Sequence, residues 1–476
     1  MRKRPGNVKG LLEAARAFGG RHEIAHAERY LDKARSLAGT DPRVAPLIAQ
    51  TYARCFRPQR ALEELERLGT LPPSVQGEVA VLYEQVGKLE QALDAIDACI
   101  RLAPVAAEPR LVRGRILRRM GRLDEATVTL EPLAVDPAPP LVQAEAATEL
   151  CYVHDARREF DRAVDAIEHA HGVIGRLRST QPMLQRARAN NAALADLASA
   201  FAEAGPPTWL DAKPELDARV AGIAHLIGFP RSGTTLLEQC LDAHPSIVAS
   251  PERVIFSRDI FPRMCKQGGG ALTLETLDAI PDDVIGSERR RYLDFMEAAL
   301  GEPLDQRLHI DKNPNHTTLL PGLLRLFPES KFIVAVRDPR DVIASCVLRS
   351  FRLTEFSSML LSWDTACELY AVEMGAWLRY REALDAERWI EVRYEDAVTD
   401  LAVEARHVIQ MLGVAWDNQV LAYRERTRHK LVNSPTQTEV REPIYTSAIG
   451  RWKNYRKHLE PHVHVLQPFI DAFGYE

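Results

Sequence analysis

The stretch that decides the fold of the C-terminal half is AHLIGFPRSGTTLLEQCLDAHP, residues 224–245. A short apolar run leads into the glycine-bounded turn Gly228–Thr235, and an amphipathic segment typical of a helix follows. Strand, turn and helix in this order present backbone N–H groups and a helix N-terminus to an anion. Gly233 allows the backbone to close around that anion, and the hydroxyls of Thr234 and Thr235 can donate to it. The stretch therefore predicts a phosphate-binding loop.

One substitution within this loop narrows the chemistry. The spacing is that of GxxxxGK[ST], but Thr234 stands where that motif has its lysine. Phosphoryl transfer from a nucleoside triphosphate needs this lysine and a magnesium site. A loop that holds a 5′-phosphate with backbone amides, Ser232 and Arg231 needs neither. The sequence thus favours a bound 5′-phosphate, with a P-loop kinase or NTPase as the alternative.

The sequence around the loop alternates between short β-rich runs and helical segments. The runs are IAHLIGF, SIVAS, HIDKN, KFIVAV and RWIEVRY. This alternation predicts an α/β domain with a mostly parallel central sheet over residues 221–476. The proline-containing stretch 206–220, PPTWLDAKPELDARV, is interpreted as a linker that precedes it.

Residues 1–205 have a different pattern, with apolar residues at helical spacing throughout. Gly87 and Gly121 are 34 residues apart, and so are Ala92 and Ala126. Prolines recur at similar intervals and close successive helical stretches; they are Pro42, Pro73, Pro104 and Pro137.

This period, with Gly in the first turn, Ala in the second helix and Pro at the end, resembles the tetratricopeptide repeat. Small residues let paired helices approach closely, and several pairs must stack to bury their apolar faces. Segments 75–105 and 108–138 match well, and 158–171 matches loosely. The fold class expected is an all-α helical repeat (TPR-like solenoid) domain followed by the α/β domain. An irregular helical bundle is the alternative for the first domain.

Composition indicates a soluble globular protein that does not bind nucleic acid. The net charge is −5, with 46% hydrophobic and 27% charged residues. Seven scattered cysteines form no CxxC pair, which argues against a disulfide framework or a structural zinc site. The basic N-terminus lacks an apolar stretch for secretion, and no apolar run is long enough for a membrane span. We expect a cytoplasmic protein.

A second anion site is indicated by KFIVAVRDPRDVIASCVLRSF, residues 331–351. Arg337 follows a buried strand, at the end where α/β folds bind ligands. Asp338 is placed to cap the next helix, whose first turn holds a proline. Ser345 and Arg349 are four residues apart and are expected on one helical face. A guanidinium, a hydroxyl and a second arginine together predict a phosphate clamp.

These motifs together resemble a known family. PRSGTTLLEQCLDAHP is similar to the 5′-phosphosulfate-binding loop of sulfotransferases, most of all the tyrosylprotein type, and the resemblance runs from about 224 to 455. It implies that 3′-phosphoadenosine-5′-phosphosulfate (PAPS) is the donor, held without a metal. The resemblance assigns the 5′-phosphosulfate to the loop with Arg231, and the 3′-phosphate to Arg337 and Ser345, with Arg349 as a further binding arginine.

The same resemblance implies the remaining nucleotide contacts. Tyr394, in VRYED, matches a nucleotide-contacting tyrosine, whose ring could stack on adenine. The stretch 442–459 resembles the closing cofactor loop. Arg451 there replaces the family's lysine, which keeps the charge but not the geometry.

Catalytic roles also follow from the resemblance. Glu252 matches the catalytic base, and its place at a strand end, sheltered by Val254 and Ile255, would favour proton uptake. Lys312 matches the lysine that stabilises the transition state, and Thr436 stands where the family has a stabilising serine. His316 is the rival base.

The expected activity is therefore transfer of a sulfuryl group from PAPS to an acceptor hydroxyl. A catalytically inactive scaffold is a further alternative. The resemblance favours a tyrosine side chain as acceptor, while a small molecule, glycan or lipid hydroxyl stays open. The repeats could bind the acceptor peptide, a protein partner or a second copy of the chain.

Overall fold

The computed structural model describes residues 7–424 and 447–476, except for 22, 40, 42, 69–74, 136, 206 and 212–216. Its contacts divide the chain into two compact units. The N-terminal unit comprises Met1–Leu177 with the short segments Ala298–Gly301 and Leu348–Ser350, and the C-terminal unit comprises the rest. No helix among these described residues is long and apolar enough to cross a membrane.

The N-terminal unit is helical. Its helices are α1 Val8–Gly20, α2 Ile24–Ala38, α3 Ala45–Arg54, α4 Pro58–Glu66, α5 Gln76–Gln85, α6 Leu89–Leu102, α7 Ala107–Arg119, α8 Leu123–Leu130, α9 Pro140–Ala156 and α10 Phe160–Gly175. Consecutive helices pack as pairs, α1 with α2 through α9 with α10. A continuous apolar core that includes Leu31, Ile48, Tyr52 and Ile96 runs between the first six helices and α7.

The same turn recurs between the two helices of successive pairs. A residue in the left-handed region connects them, at Phe56, Gly87, Gly121 and Arg158. The next backbone N–H donates to the carbonyl five residues before it, as in Arg122 to Leu117 at 2.9 Å. This 6→1 bond is the Schellman motif that ends a helix. The two predicted glycines are thus explained by their positive φ angles.

The boundary between the units differs from the predicted end of the first domain at residue 205. Helix α11, Thr180–Ala204, belongs to the C-terminal unit, where it packs against α18 (Glu355–Ser358) and α19 (Trp363–Ala383). The unit boundary therefore lies at Leu177, and the stretch predicted as a linker follows a helix of the second unit. The pattern of α11 is helical like its predecessors, and only its tertiary contacts assign it to this unit.

The C-terminal unit surrounds a five-stranded sheet. Its strands are β1 Val220–Gly228, β2 Ile247–Pro251, β3 Arg307–Lys312, β4 Lys331–Val336 and β5 Trp389–Arg393. Its other helices are α12 Thr234–Asp242, α13 Phe261–Gln267, α14 Leu274–Asp278, α15 Asp282–Leu300, α16 Leu320–Leu326, α17 Pro339–Val347, α20 Tyr394–Thr399, α21 Leu401–Leu412, α22 Arg456–Leu459 and α23 Val463–Ala472.

All described strand pairs are parallel, and the order is β2-β3-β1-β4-β5. The five β-rich runs of the sequence are the five strands, so the predicted parallel central sheet is confirmed. The apolar face formed by Leu226, Ile310 and Ile333 packs against α12 and α21. Because β1 is central and its neighbours lead to opposite sides, the carboxyl edge at β1 is where a ligand crevice forms in such sheets.

Candidate active site

The candidate residues follow the carboxyl ends of all five strands. Glu252 comes directly after β2, Lys312 is the last residue of β3, the loop follows β1, Arg337 follows β4 and Tyr394 follows β5. The strand order therefore fixes their order along one edge. Neighbouring strands lie about 5 Å apart, so the loop stands between an acid–lysine pair on one side and an arginine on the other.

Two glycines shape the loop. Gly228 has φ +138°, and a Cβ there would lie 2.4 Å from the carbonyl oxygen of Ala335. Gly233 is the N-cap of α12 with φ +93°, and a Cβ there would lie 2.7 Å from Cδ2 of Tyr394. The loop therefore passes close to β4 and lies under the ring of Tyr394. Larger residues do not fit either position.

The other loop residues present an anion site. Arg231 has φ +73°, a conformation that only a supporting structure maintains outside glycine. Ser232, Thr234 and Thr235 are buried beside the start of α12. Thr317 holds the base of the loop, since its hydroxyl donates to the carbonyl of Gly228 and accepts from its N–H. The predicted strand–turn–helix arrangement is present.

Arg337 points at the loop. Its Nη1 donates to the carbonyl of Arg231 at 3.0 Å, and its Nη2 donates to the carbonyl of Ala448 at 2.7 Å. The guanidinium also lies over the ring of Tyr394, 4.7 Å from the centroid. Its buried Nε has no hydrogen-bond partner among the described residues. Arg337 thus has an N–H donor left unpaired by the described residues, as expected at a site that binds an anionic group.

Ser345 completes this side of the site. Its hydroxyl accepts a hydrogen bond from Nε of Arg231 at 3.1 Å. Asp338 caps α17 as predicted, because its carboxylate accepts from the N–H of Arg340 at 2.9 Å. The two residues predicted to bind one phosphate therefore lie before the start of α17 and in its last turn, and both contact Arg231.

A C-terminal segment lies over the same helix. The carboxylate of Asp341 accepts from the N–H groups of Gly450 and Trp452, each at 2.7 Å. These bonds place Arg451 at the start of a short 3₁₀-helix, Arg451–Tyr455. Sequence reasoning missed Asp341, although an acid in the first turn of a ligand-facing helix is the signal that marks it.

The predicted correspondence of Ser345 and Arg349 on one helical face is wrong. Helix α17 ends at Val347, so Arg349 lies beyond it in the segment Leu348–Ser350. The sequence LRS after Val347 contains no glycine or proline that would mark the end of the helix. The role of Arg349 in binding stays a prediction.

The catalytic candidates Glu252 and Lys312 are in direct contact. Nζ of Lys312 donates to Oε1 of Glu252 at 2.7 Å, and it also lies 3.1 Å from Oε2 of Glu238. The Lys312 side chain is fully buried. Burial lowers its pKa, but the two carboxylates outweigh that effect and raise the pKa above its usual value. Lys312 is therefore an ammonium ion at neutral pH.

Glu252 is less sheltered than predicted. Its side chain is 32% exposed, and Val254 beside it is itself exposed. Its φ of +20° is unusual for a residue other than glycine. The carboxylate is thus an accessible group at the rim of the site, fixed by its ion pair with Lys312, and of the two residues predicted to shelter it Ile255 is buried but Val254 is exposed.

His316, the rival base, lies in the interior. Its Nε2 is 3.1 Å from Nδ2 of Asn313, and its ring meets Phe256 edge-on. Burial lowers its pKa to about 3, so the imidazole is neutral. An imidazole with so low a pKa is a weak proton acceptor, whereas the carboxylate of Glu252 is partly exposed, which favours Glu252 as the base.

Two acidic residues near Lys312 were missed by sequence reasoning. Glu238 lies on α12, within the apolar run LLEQCL, and is fully buried. Asp311 precedes Lys312 on β3 and accepts hydrogen bonds from Tyr292 at 2.9 Å and Ser250 at 3.4 Å. Burial raises the pKa of Asp311 to about 7. A charged residue within a buried helix or strand was the available signal for both.

Thr436 lies outside the described residues, as do residues 442–446 of the stretch 442–459. Within the described part of the chain, no group of three or more His, Cys, Asp and Glu side chains is arranged to hold a metal ion.

Comparisons with known proteins agree with this geometry. Residues 225–418 match the family model described as Sulfotransferase family. Protein-tyrosine sulfotransferase 1 of Danio rerio is 26% identical over 264 residues, 52% of this chain and 71% of the relative. Protein-tyrosine sulfotransferase 2 of Gallus gallus is 27% identical over 269 residues, 52% of this chain and 68% of the relative.

Among solved structures, the sulfotransferase domain of the Synechococcus PCC 7002 olefin synthase is 22% identical. The alignment covers 56% of this chain and 98% of that one, with a TM-score of 0.40.

The C-terminal half therefore contains a sulfotransferase-family domain. The protein is an enzyme, a sulfotransferase that transfers a sulfuryl group from PAPS. This confirms the predicted reaction class, and the kinase and inactive-scaffold alternatives are set aside.

Proposed function

We propose that the protein sulfates the hydroxyl of a tyrosine side chain in a protein or peptide, with Glu252 as base and Lys312 at the leaving group. The relatives named as protein-tyrosine sulfotransferases support this choice of acceptor. The observation that carries the proposal is the order of groups along the sheet edge, with the Glu252–Lys312 pair on one side of the loop and Arg337 on the other.

This order matches the two ends of the donor. The loop amides with Arg231 would hold the 5′-phosphosulfate, since a helix N-terminus and backbone N–H groups favour an anion. Arg337 and Ser345 would hold the 3′-phosphate, one strand further along, and Tyr394 would contact the base. Arg451, Arg349 and Thr436 are proposed as further contacts on the grounds of the resemblance alone.

The chemistry requires a proton acceptor and a cation. As the acceptor oxygen bonds to sulfur, its proton passes to the carboxylate of Glu252, and the bond between sulfur and the bridging oxygen breaks. The negative charge that develops on the departing 5′-phosphate is stabilised by the ammonium of Lys312. The exposed rim position of Glu252 is compatible with a large acceptor.

The N-terminal unit is proposed to be a TPR-like solenoid that binds the acceptor. Helix pairs that repeat the same left-handed turn support it, as do five alanines in the second helices, each with no exposed surface. These are Ala27, Ala61, Ala92, Ala126 and Ala163. Close packing at Gly114, where a Cβ would lie 2.5 Å from the side chain of Leu130, agrees with paired helices. Stacked helix pairs provide an extended surface for a peptide.

A cytoplasmic location is proposed as well. All seven cysteines are free thiols, and six of them are buried. Such thiols are typical of a reducing compartment. Cell fractionation of the native protein tests this proposal, and recovery only from an oxidising compartment would contradict it.

The function is tested by turnover of sulfur-labelled PAPS with two matched acceptors, a tyrosine peptide and the same peptide with phenylalanine. Label in the tyrosine peptide alone supports the proposal. Transfer only to small phenols, amines or sugars would reject a peptide acceptor, and titration with 3′-phosphoadenosine-5′-phosphate (PAP) reports separately whether the donor site is intact.

A further inference from the structure

Lys312 has two carboxylate partners, and they differ in their access to an acceptor. Glu252 is partly exposed at the rim, whereas Glu238 is fully buried. The proposed reaction uses only the first of them. A second carboxylate inside the protein is costly unless it is paired, so its presence beside the same ammonium needs an explanation.

Glu238 is held firmly in place. It lies on α12, four residues after the loop residue Thr234. Its Oε1 accepts from Nε2 of Gln239 at 3.1 Å, and its Oε2 faces Nζ of Lys312, also at 3.1 Å. The helix that begins at the phosphate loop therefore also positions the lysine of the neighbouring strand.

Glu238 becomes the remaining carboxylate partner of Lys312 when Glu252 acts as a base. Once Glu252 has accepted the acceptor proton, it is neutral, and its attraction for Lys312 is lost. A fully buried ammonium without a counter-charge would be strongly destabilised and would tend to lose its own proton. It is needed as a cation at that moment, because the leaving phosphate is then gaining charge.

We infer that Glu238 is a positioning residue, which keeps Lys312 charged and directed at the bridging oxygen while Glu252 is protonated. This inference rests on the proposed roles of Glu252 and Lys312. In the step itself, the sulfur–oxygen bond of the donor breaks, the bond to the acceptor oxygen forms, and PAP leaves with the electron pair. Glu238 exchanges no proton and contacts neither substrate.

Other ionisable groups surround this cluster. Arg253 lies near Glu238 and Asp311 and is half-buried; burial lowers its pKa, and the two carboxylates oppose that shift without cancelling it. Asp311 precedes Lys312 and has a pKa of about 7 because it is buried. His316 is neutral, with a pKa of about 3. Changes in the pH profile above neutrality therefore do not report on His316.

The test compares Glu238→Gln and Glu238→Asp with the full-length wild type. For Glu238→Gln we expect kcat to fall about 10- to 100-fold, with PAP affinity changed by less than about twofold. The alkaline limb of the pH profile of kcat should move to lower pH in this variant. Removal of one of the two carboxylates leaves less to oppose burial, which lowers the pKa of Lys312. Glu238→Asp keeps the charge, so its limb should stay near that of the wild type even where kcat falls.

Glu288→Gln is the matched control. Glu288 is also buried and pairs with Arg263 at 3.0 Å, outside the site, so kcat and its pH profile should be unchanged. A wild-type profile in Glu238→Gln would overturn the inference. A shift of the alkaline limb of the kcat profile in Glu238→Asp would also overturn it. This second variant keeps the inference testable if Glu238→Gln does not fold. Failure of the proposed function is distinct, since wild type itself would then not turn over PAPS.

Discussion

The cations on the two sides of the phosphate loop have different hydrogen-bond partners, carboxylates on one side and backbone carbonyls on the other. On the side of β2 and β3, Lys312 lies between two carboxylates, at 2.7 and 3.1 Å. On the side of β4, Arg337 donates to two backbone carbonyls and approaches the carboxylate of Asp341 only to 3.9 Å. That carboxylate already accepts from two backbone N–H groups.

This difference suits the Lys312 side to catalysis and the Arg337 side to nucleotide binding. A cation paired with carboxylates keeps its charge and can exchange partners as a proton moves. A cation held by neutral carbonyls retains most of its attraction for an anion, because charged donors bind phosphate more strongly than they bind amides. We therefore expect substitutions on the first side to change turnover, and substitutions on the second to change nucleotide affinity.

The largest effect is expected for Glu252→Gln. Loss of the proton acceptor should lower kcat about 100- to 10,000-fold, the range typical of general-base catalysis. PAP affinity, measured by isothermal titration, should be nearly unchanged. Equal losses of turnover and affinity would assign Glu252 to binding and would remove the contrast between the two sides.

Arg337→Met should have the converse effect. Loss of a charged donor should weaken PAP binding about 10- to 100-fold. Binding of 5′-AMP, which lacks the 3′-phosphate, should change much less. Arg337→Lys serves as the control because it keeps the charge but loses the fork. If PAP and 5′-AMP lost affinity equally, Arg337 would support the loop rather than the 3′-phosphate.

A smaller effect on stability is expected for Asp311→Asn. The folded pKa of about 7 lies above the ordinary value of about 3.9 for an unfolded chain. Between these values the folded protein binds more protons, so stability falls as pH rises. Asparagine has a similar shape without the charge, and it keeps one acceptor oxygen while its NH2 donates to the other hydroxyl. The stability advantage of the variant in urea unfolding should grow by up to about 4 kcal/mol from pH 4 to about pH 8 and stay constant above. A pH-independent difference would refute this.

The smallest effect is expected for His316→Asn. With its pKa lowered to about 3 by burial, the imidazole of His316 is a weak proton acceptor, so kcat should stay within about threefold and its pH profile should keep its shape. Some stability should be lost with the contacts to Asn313 and Phe256. A loss of turnover as large as that of Glu252→Gln would make His316 the base instead.

Much of this arrangement could be predicted from local pattern. The five strands are short apolar runs, and the loop glycines indicate a turn between strand and helix. These patterns predict the strand ends at which Glu252, Lys312 and Arg337 lie. Parallel strands expose their carboxyl ends together, which is why distant sequence positions converge.

The rest depended on tertiary contacts that no local pattern contains. Helix α11 has the same composition as the helices before it, and its partners in the second unit assign it there. Glu238 is a single acid in an apolar helix, and nothing in its neighbourhood identifies Lys312 as its partner. The end of α17 before Arg349 likewise has no glycine or proline to mark it.

A crystal structure of the full-length protein with PAP tests the central claim most directly. We predict the 5′-phosphate on the amides between Arg231 and Thr235, the 3′-phosphate within hydrogen-bond distance of Arg337 and Ser345, and Lys312 closer to the 5′-phosphate than Arg337 is. A nucleotide bound in the reverse direction along the sheet edge, with its 3′-phosphate beside Lys312, would contradict the account.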